Sequence, residues 1–296
     1  QQIKRTGTDK ETIYTCYVID AQRKLIGVIP LRTLICAKDE ELVSDLMEED
    51  VVAVHTTDDQ EEVAHIFKKY NWMALPVTDL ENRLVGIITV DDIVDVIEQE
   101  TTEDMEKMAA LLPSDEEYLK TPVLKLAKNR IVWLCVLMIS GTLSSLVIGH
   151  YAGLLAVAMS LSNFITIITG TGGNAGSQAS TMIIRGMALG EIEVRDTLRV
   201  IWKEVRVGAL CGIALGLVNM ARMTFFSKDT DFLIDFTVSV SMAAVVVLSK
   251  TIGCTLPILA KIIKVDPAMM AGPLISTLVD AVALILYFSI ASLLLL

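Results

Sequence analysis

The chain has no Cys-x-x-Cys pair. Its five cysteines, Cys16, Cys36, Cys135, Cys211 and Cys254, are odd in number and scattered. That argues against a disulfide framework or a zinc centre and suits reduced thiols and apolar packing. No nucleophile, base and orienting group form a catalytic constellation, so no enzyme is expected. Lysine and arginine are absent from residues 39–62, which hold eleven acidic side chains, and Lys107 stands alone among the eleven acids of residues 91–117. Surfaces of that sign repel nucleic acid and attract cations, so no nucleic acid partner is expected. Charge is almost wholly missing from residues 269–296, where Asp280 is the sole charged side chain. The start, Gln1-Gln2-Ile3-Lys4-Arg5, is polar, with no initiator methionine and no signal-peptide pattern, and reads as lying inside a longer protein.

What is present divides into two chemically different halves. Residues 1–120 carry 27 acidic and 12 basic side chains, and residues 121–296 carry 9 acidic and 13 basic. The first half reads as a soluble acidic module and the second as a membrane domain. Five spans are expected, at residues 131–148, 151–182, 207–226, 232–263 and 269–296. Basic residues cluster before the first span (Lys120, Lys125, Lys128, Arg130), between the second and third (Arg185 to Arg206) and between the fourth and fifth (Lys261, Lys264). By the positive-inside rule the soluble module is cytoplasmic and the C-terminus outside, in an integral protein of the plasma (inner) membrane.

The soluble half contains a repeat. Val18-Ile19-Asp20 followed by Lys24-Leu25-Ile26-Gly27-Val28-Ile29 matches Val77-Thr78-Asp79 followed by Arg83-Leu84-Val85-Gly86-Ile87-Ile88 at an offset of 59. Each copy predicts strand, charged turn, strand and short helix. Helices are expected at residues 39–47 and 60–70, and strands at 51–55 and 74–77. This resembles a tandem pair of cystathionine-β-synthase (CBS) domains, an α+β module. The first occupies residues 1–40 without its opening strand and helix, and the second residues 41–100. Residues 101–128 are expected to form an acidic connector helix that Pro113 and Pro122 interrupt, and residues 129–296 an all-α transmembrane domain of five helices.

Two groups of residues carry the chemistry. The string Gly170-Thr171-Gly172-Gly173-Asn174-Ala175-Gly176-Ser177-Gln178 weakens a helix by several times ~1 kcal/mol. It predicts irregular backbone lining a wet cavity, the plainer alternative being close packing of small residues. No Gly-Lys-Ser/Thr follows, which argues against a phosphate loop. Asp266-Pro267-Ala268, Gly272-Pro273, Ser276, Thr277 and Asp280 form the second group. Asp266 can cap the last helix, and Pro273 frees a carbonyl near Met269–Met270 that is expected to face a pore. Asp280 falls about halfway along the last span. A carboxylate at bilayer depth costs at least ~2.5 kcal/mol and usually marks an ion path. Only oxygen donors gather there, which favours magnesium or calcium, and a single carboxylate suits an ion that keeps its waters.

With Arg185-Gly186-Met187-Ala188-Leu189-Gly190-Glu191 and the tandem CBS module, these motifs resemble the MgtE family of magnesium channels. The resemblance implies a homodimer in membrane lipid with one pore between subunits. It also implies that Asp280 contacts hydrated magnesium, with Asp266, Ser276, Thr277 and Asn174 nearby. Intracellular magnesium would close the pore by binding the acidic module, with Asp59, Glu61, Asp91, Asp92, Asp95, Glu100, Glu103 and Asp104 as candidate ligands. CBS pairs also bind adenosine nucleotides such as ATP. The cue for that survives only in the second copy, at Gly86, Thr89 and Asp92, which leaves at most one half-site. Two alternatives stand beside the channel: a cation-coupled magnesium exchanger, and a membrane-tethered nucleotide sensor.

Overall fold

The computed structural model describes residues 10–114, 117–226 and 231–296. It has two compact units, Gln1–Thr102 and Glu103–Leu296.

In the first unit, β1 (Thr15–Ile19) and β2 (Leu25–Pro30) form an antiparallel hairpin followed by α1 (Leu31–Cys36) and α2 (Val43–Leu46). A second sheet has the order β3 (Val54–His55), β4 (Ala74–Thr78), β5 (Leu84–Thr89), with β3 parallel to β4 and β4 antiparallel to β5. Helix α3 (Gln60–Tyr70) joins β3 to β4. The repeat has a physical cause in its turns. Asp20 accepts hydrogen bonds from the backbone N–H of Gln22 and Lys24, and Asp79 does the same for Glu81 and Arg83. The tips Arg23 and Asn82 take left-handed backbone at φ 65° and 66°. Each hairpin carries the same register slip, after Val18 and after Val77. Leu25 N–H donates to the Asn82 carbonyl and Leu84 N–H to that of Arg23, so the copies meet at their turns. Phe67, Val63, Ala64, Val54, Leu75 and Ile93 form the core beneath the second sheet.

Two expected elements are shorter than predicted. The helix over 39–47 shrinks to Val43–Leu46 because the Glu41 carboxylate accepts from Lys38 N–H and fixes a turn there. The strand over 51–55 shrinks to Val54–His55.

Helix α4 (Val90–Met108) runs without a break into the predicted connector. Ala110, at φ 55°, ends it, and Leu111 N–H donates back to the Glu106 carbonyl in a Schellman-type cap. Regular helix resumes only at α5 (Val123–His150), with Pro122 as its N-cap. Among the described residues, the predicted connector is therefore the tail of α4 followed by non-helical backbone at 109–114 and 117–122, with residues 115–116 outside the described residues.

The remaining elements of the second unit are α6 (Ala152–Val157), a 3-10 turn (Met159–Phe164), α7 (Ile165–Ala188), α8 (Thr197–Phe226), α9 (Phe232–Ile262) and α10 (Gly272–Leu295). Among the described residues four helices are long and apolar enough to cross a membrane: Val123–His150, Val194–Phe225, Phe232–Ile262 and Gly272–Leu295. Helix α7 matches α10 in length, 24 residues each, but its glycines, hydroxyls and amides dilute its apolar character. Five spans were expected, and α7 is the one that composition does not support.

The glycine string corrects the expectation of irregular backbone. It lies in continuous α-helix, because its glycines are contact points. A β-carbon on Gly253 of α9 would collide with the carbonyl oxygen of Gly176, and one on Gly172 would press on Val245 and Ser249. Close packing offsets the helix penalty of glycine. The irregular backbone lies earlier, at Ala158 and the 3-10 turn that follows. There Leu161 is fully buried and its carbonyl accepts from the Tyr287 hydroxyl at 3.0 Å. Gly208, Gly212 and Gly216 of α8 similarly admit the backbone of α9. At one end of that seam Lys250 and Glu204 make a buried pair at 3.9 Å.

Candidate cation site

Helix α10 starts at Gly272, so Asp280 lies eight residues in, about 12 Å along a helix of about 36 Å. It sits a third of the way along, nearer the start than the expected midpoint. Asp280 is half-buried, and no described residue hydrogen-bonds or pairs with it. Its neighbour across the helix seam is Gly173 of α7. A β-carbon there would come within 3.5 Å of Asp280 Oδ1 and 3.4 Å of Ser276 Oγ. Absence of a side chain at Gly173 is what leaves room beside the carboxylate.

Ser276 is four residues before Asp280 and shares its face. Its hydroxyl lies 3.1 Å from the Gly272 carbonyl and 3.2 Å from Ser177 Oγ, which ties α10 to α7. Thr277 donates to the carbonyls of Pro273 and Leu274, at 3.1 and 3.0 Å. Both hydroxyls therefore spend their proton on backbone and present lone pairs. Asn174 is exposed next to Gly173, as is Gln178 one turn on. Thus Asp280, Ser276 and Gly173 come together, with Asn174 and Thr277 flanking them.

The carbonyl expected to face a pore is engaged elsewhere. Ser180, fully buried, donates to the Met270 carbonyl at 2.6 Å and turns it toward α7. Sequence reasoning noted Ser177 only as part of the glycine string and missed Ser180; the two clamp the start of α10. Their signal was present, as serines three residues apart on one helical face.

Asp266 caps the 3-10 turn before α10 through Ala268 N–H at 2.8 Å. Its other oxygen lies 2.6 Å from Lys107 Nζ, and Glu103 Oε1 lies 2.5 Å from the same nitrogen. Burial works against the Lys107 charge, but the two carboxylates outweigh it and raise its pKa above the usual lysine range.

In the soluble unit, Asp59 caps α3 through Glu61 N–H at 2.9 Å. Glu100 accepts from the Gln60 amide at 2.6 Å. Asp92 accepts from the Thr89 hydroxyl at 3.0 Å, so these two satisfy each other. Asp91 and Asp95 lie exposed one turn apart on α4. Among the described residues no three His, Cys, Asp or Glu side chains converge as a metal-binding group.

A cavity of about 330 Å³ opens elsewhere in this unit, lined among others by Tyr17, Arg32, Asp50, Trp72 and Pro76. Neither Thr89 nor Asp92 lines it. The Tyr17 hydroxyl is buried with no hydrogen-bond partner among the described residues, and burial pushes its pKa up to about 12.

Residues 165–290 match the family model described as MgtE, divalent cation transporter, and residues 43–99 match the CBS domain. The chain is 39% identical over 293 residues to the magnesium transporter MgtE of Thermus thermophilus, covering 99% of this chain and 64% of that protein. It is 36% identical over 290 residues to the magnesium transporter MgtE of Enterococcus faecalis, covering 98% and 63%. The crystal structure of the soluble part of a magnesium transporter is 48% identical across 33% of this chain and 38% of that one, at a TM-score of 0.33. The chain thus spans a little under two-thirds of the length of the curated relatives it matches. These relatives are transport proteins rather than enzymes, and in this chain residues 165–290 carry the MgtE divalent cation transporter domain, with a CBS domain at residues 43–99 ahead of it.

Proposed function

We propose that the chain is one subunit of a homodimeric magnesium channel, with the Asp280 carboxylates of the two subunits facing one another across the pore. The observation that carries this is a half-buried carboxylate without a partner, set in an apolar helix beside the glycine face of α7. An unpaired carboxylate in a span is costly unless an ion or water meets it. The names of the full-length relatives, magnesium transporter, support the choice of ion.

Magnesium dehydrates reluctantly, so the ion is met through its waters. At a separation of about 4.5 Å and an effective dielectric near 20, one carboxylate attracts it by roughly 7 kcal/mol. That holds a hydrated divalent ion transiently and exceeds the hold on a monovalent ion about twofold. Asn174, Ser276 and Thr277 accept hydrogen bonds from the water shell. The soluble unit lies in the cytoplasm and the C-terminus outside. Asp59, Glu61, Asp91, Asp92, Asp95 and Glu100 of that unit, and Glu103 and Asp104 on the last turns of α4, carry like charge, and magnesium bound to such residues closes the pore. Because no three of them converge within the described chain, such sites draw on water or on the second subunit.

The decisive experiment is magnesium uptake by vesicles carrying Asp280→Ala. Loss of uptake by a folded dimer supports the proposal, and uptake at the unsubstituted rate refutes it. Flux that vanishes without a sodium or proton gradient would favour the exchanger.

The cavity favours one further role. A volume of about 330 Å³ lies within the range of small-molecule sites. Trp72 offers a stacking face, Asp50 a ribose acceptor and Arg32 a phosphate donor, which suits an adenosine nucleotide. Thr89 and Asp92, the expected pair, stand outside it. Were the spans only an anchor for this sensor, Asp280→Ala would leave nucleotide binding and every other property intact.

A further inference from the structure

We propose that the first turns of α8 seat the headgroup phosphate of an anionic phospholipid, with Arg199, Lys203 and Arg206 as the cationic wall and Trp202 as the anchor. Helix α8 has two unlike faces. On one, Val200 and Ile201 pack against the core, Glu204 meets Lys250, and a β-carbon on Gly208 would press on the backbone of α9. On the other, Leu198, Arg199, Trp202, Lys203, Arg206 and Leu210 are exposed. At about 100° per residue these six fall within one arc of about 140°, turned away from α9.

Leu198 and Trp202, one turn apart, are 81% and 62% exposed at the start of a helix apolar enough to cross a membrane. Tryptophan at the end of a span sits at headgroup depth. Arg206 lies one turn further in, by about 6 Å, between Trp202 and the exposed Leu210. Its guanidinium turns back. Cζ stands 5.8 Å from the Trp202 ring centroid, and Nε donates to the Trp202 carbonyl at 3.3 Å. The charge is thereby lifted to the level of the indole, as a cation within a lipid-facing stripe must be. No described residue accepts from its Nη groups, and neither Lys203 nor Arg206 has an ion pair among the described residues. Arg199 is held loosely, 3.5 Å from Asp196. A guanidinium fork already flattened on a ring suits two phosphate oxygens and loses little freedom in meeting them. The interleaving of cations with Leu198, Trp202 and Leu210 selects a lipid over a soluble anion, because acyl chains cover the apolar side chains while the phosphate meets the charges.

The seat rests on α8 crossing the membrane and not on the channel reading. Its test uses the full chain with Trp72→Phe and Trp133→Phe, which leave Trp202 as the reporter. The protein is placed in vesicles of phosphatidylcholine and phosphatidylglycerol, with one lipid or the other brominated in its acyl chains. Quenching of Trp202 then gives the relative affinity of the two lipids at this position. Phosphatidylglycerol should be preferred about tenfold, and Arg206→Gln should cut that preference about fivefold. Arg195→Gln removes the same charge from a side chain already paired with Glu193 at 2.9 Å, and should change the preference less than about twofold. Equal losses in the two variants would mean diffuse attraction to a charged surface and overturn the proposal. So would the absence of any preference in the chain with Arg206 intact. Loss of the preference on adding inorganic phosphate at matched ionic strength would assign the residues to a soluble anion instead. Failure of both brominated lipids to quench Trp202 would show that protein, such as a second copy of the chain, covers this face. None of these readouts uses magnesium or Asp280.

Discussion

Alanine at Gly253 tests the packing on which the site depends. The added methyl would meet the carbonyl oxygen of Gly176 well inside van der Waals contact, and a backbone oxygen cannot rotate away as a side chain can. Helices α7 and α9 must separate. Overpacking of this kind costs about 1–3 kcal/mol, and a rigid obstacle places Gly253→Ala toward the upper end. Replacing a helical glycine returns about 0.5–1 kcal/mol. The net loss is about 2 kcal/mol, which for a unit of this size lowers Tm by roughly 4–8 °C. Gly170→Ala is the control, because nothing lies within 4 Å of its added methyl. It should leave Tm unchanged or raise it by a few degrees. The assay is thermal unfolding in detergent followed by near-UV circular dichroism. Equal midpoints for the two variants would refute the packing argument. Because Gly176 and Gly173 share α7, the same displacement should also disturb the space beside Asp280 and reduce uptake.

Other outcomes follow from the same geometry. Asp59→Ala should cost about 1 kcal/mol through loss of the α3 cap while Asp59→Asn costs little, measured by chemical denaturation. If Asp59 also binds regulatory magnesium, the asparagine variant should keep its stability and lose part of its closure by magnesium. Lys250→Met should destabilise by about 3 kcal/mol by stranding the buried Glu204, and adding Glu204→Leu should recover most of that. A double variant no more stable than the single one would show the pair does not act as a unit. Trp72→Ala should weaken adenosine nucleotide binding about tenfold by calorimetry while Thr89→Val leaves it unchanged, and the reverse ranking would return the site to the Thr89–Asp92 cue.

The repeat was legible because its turns are local chemistry. Asp20 and Asp79 each bond the backbone two and four residues on, so the offset of 59 shows in sequence and structure alike. Asp280 was legible because a lone charge in an apolar run needs no context to stand out. The glycine string misled, since propensity counts the penalty of glycine in a helix and not the approach of a second helix. Gly253, 77 positions beyond Gly176, supplies that approach. Lys107 appeared as one basic residue lost among acids. Its partner Asp266 is 159 residues away, and no local pattern announces such a pair. The cavity escaped for a related reason. Its walls come from both copies of the sequence repeat, whereas the motif cue looks within one.

The most direct test is a density map of the assembled protein in lipid with magnesium present. The account predicts an octahedral ion, its waters intact, held between the Asp280 carboxylates of two subunits. Carboxylates turned into dry protein or toward lipid, with no ion and no aqueous route beside them, would contradict it.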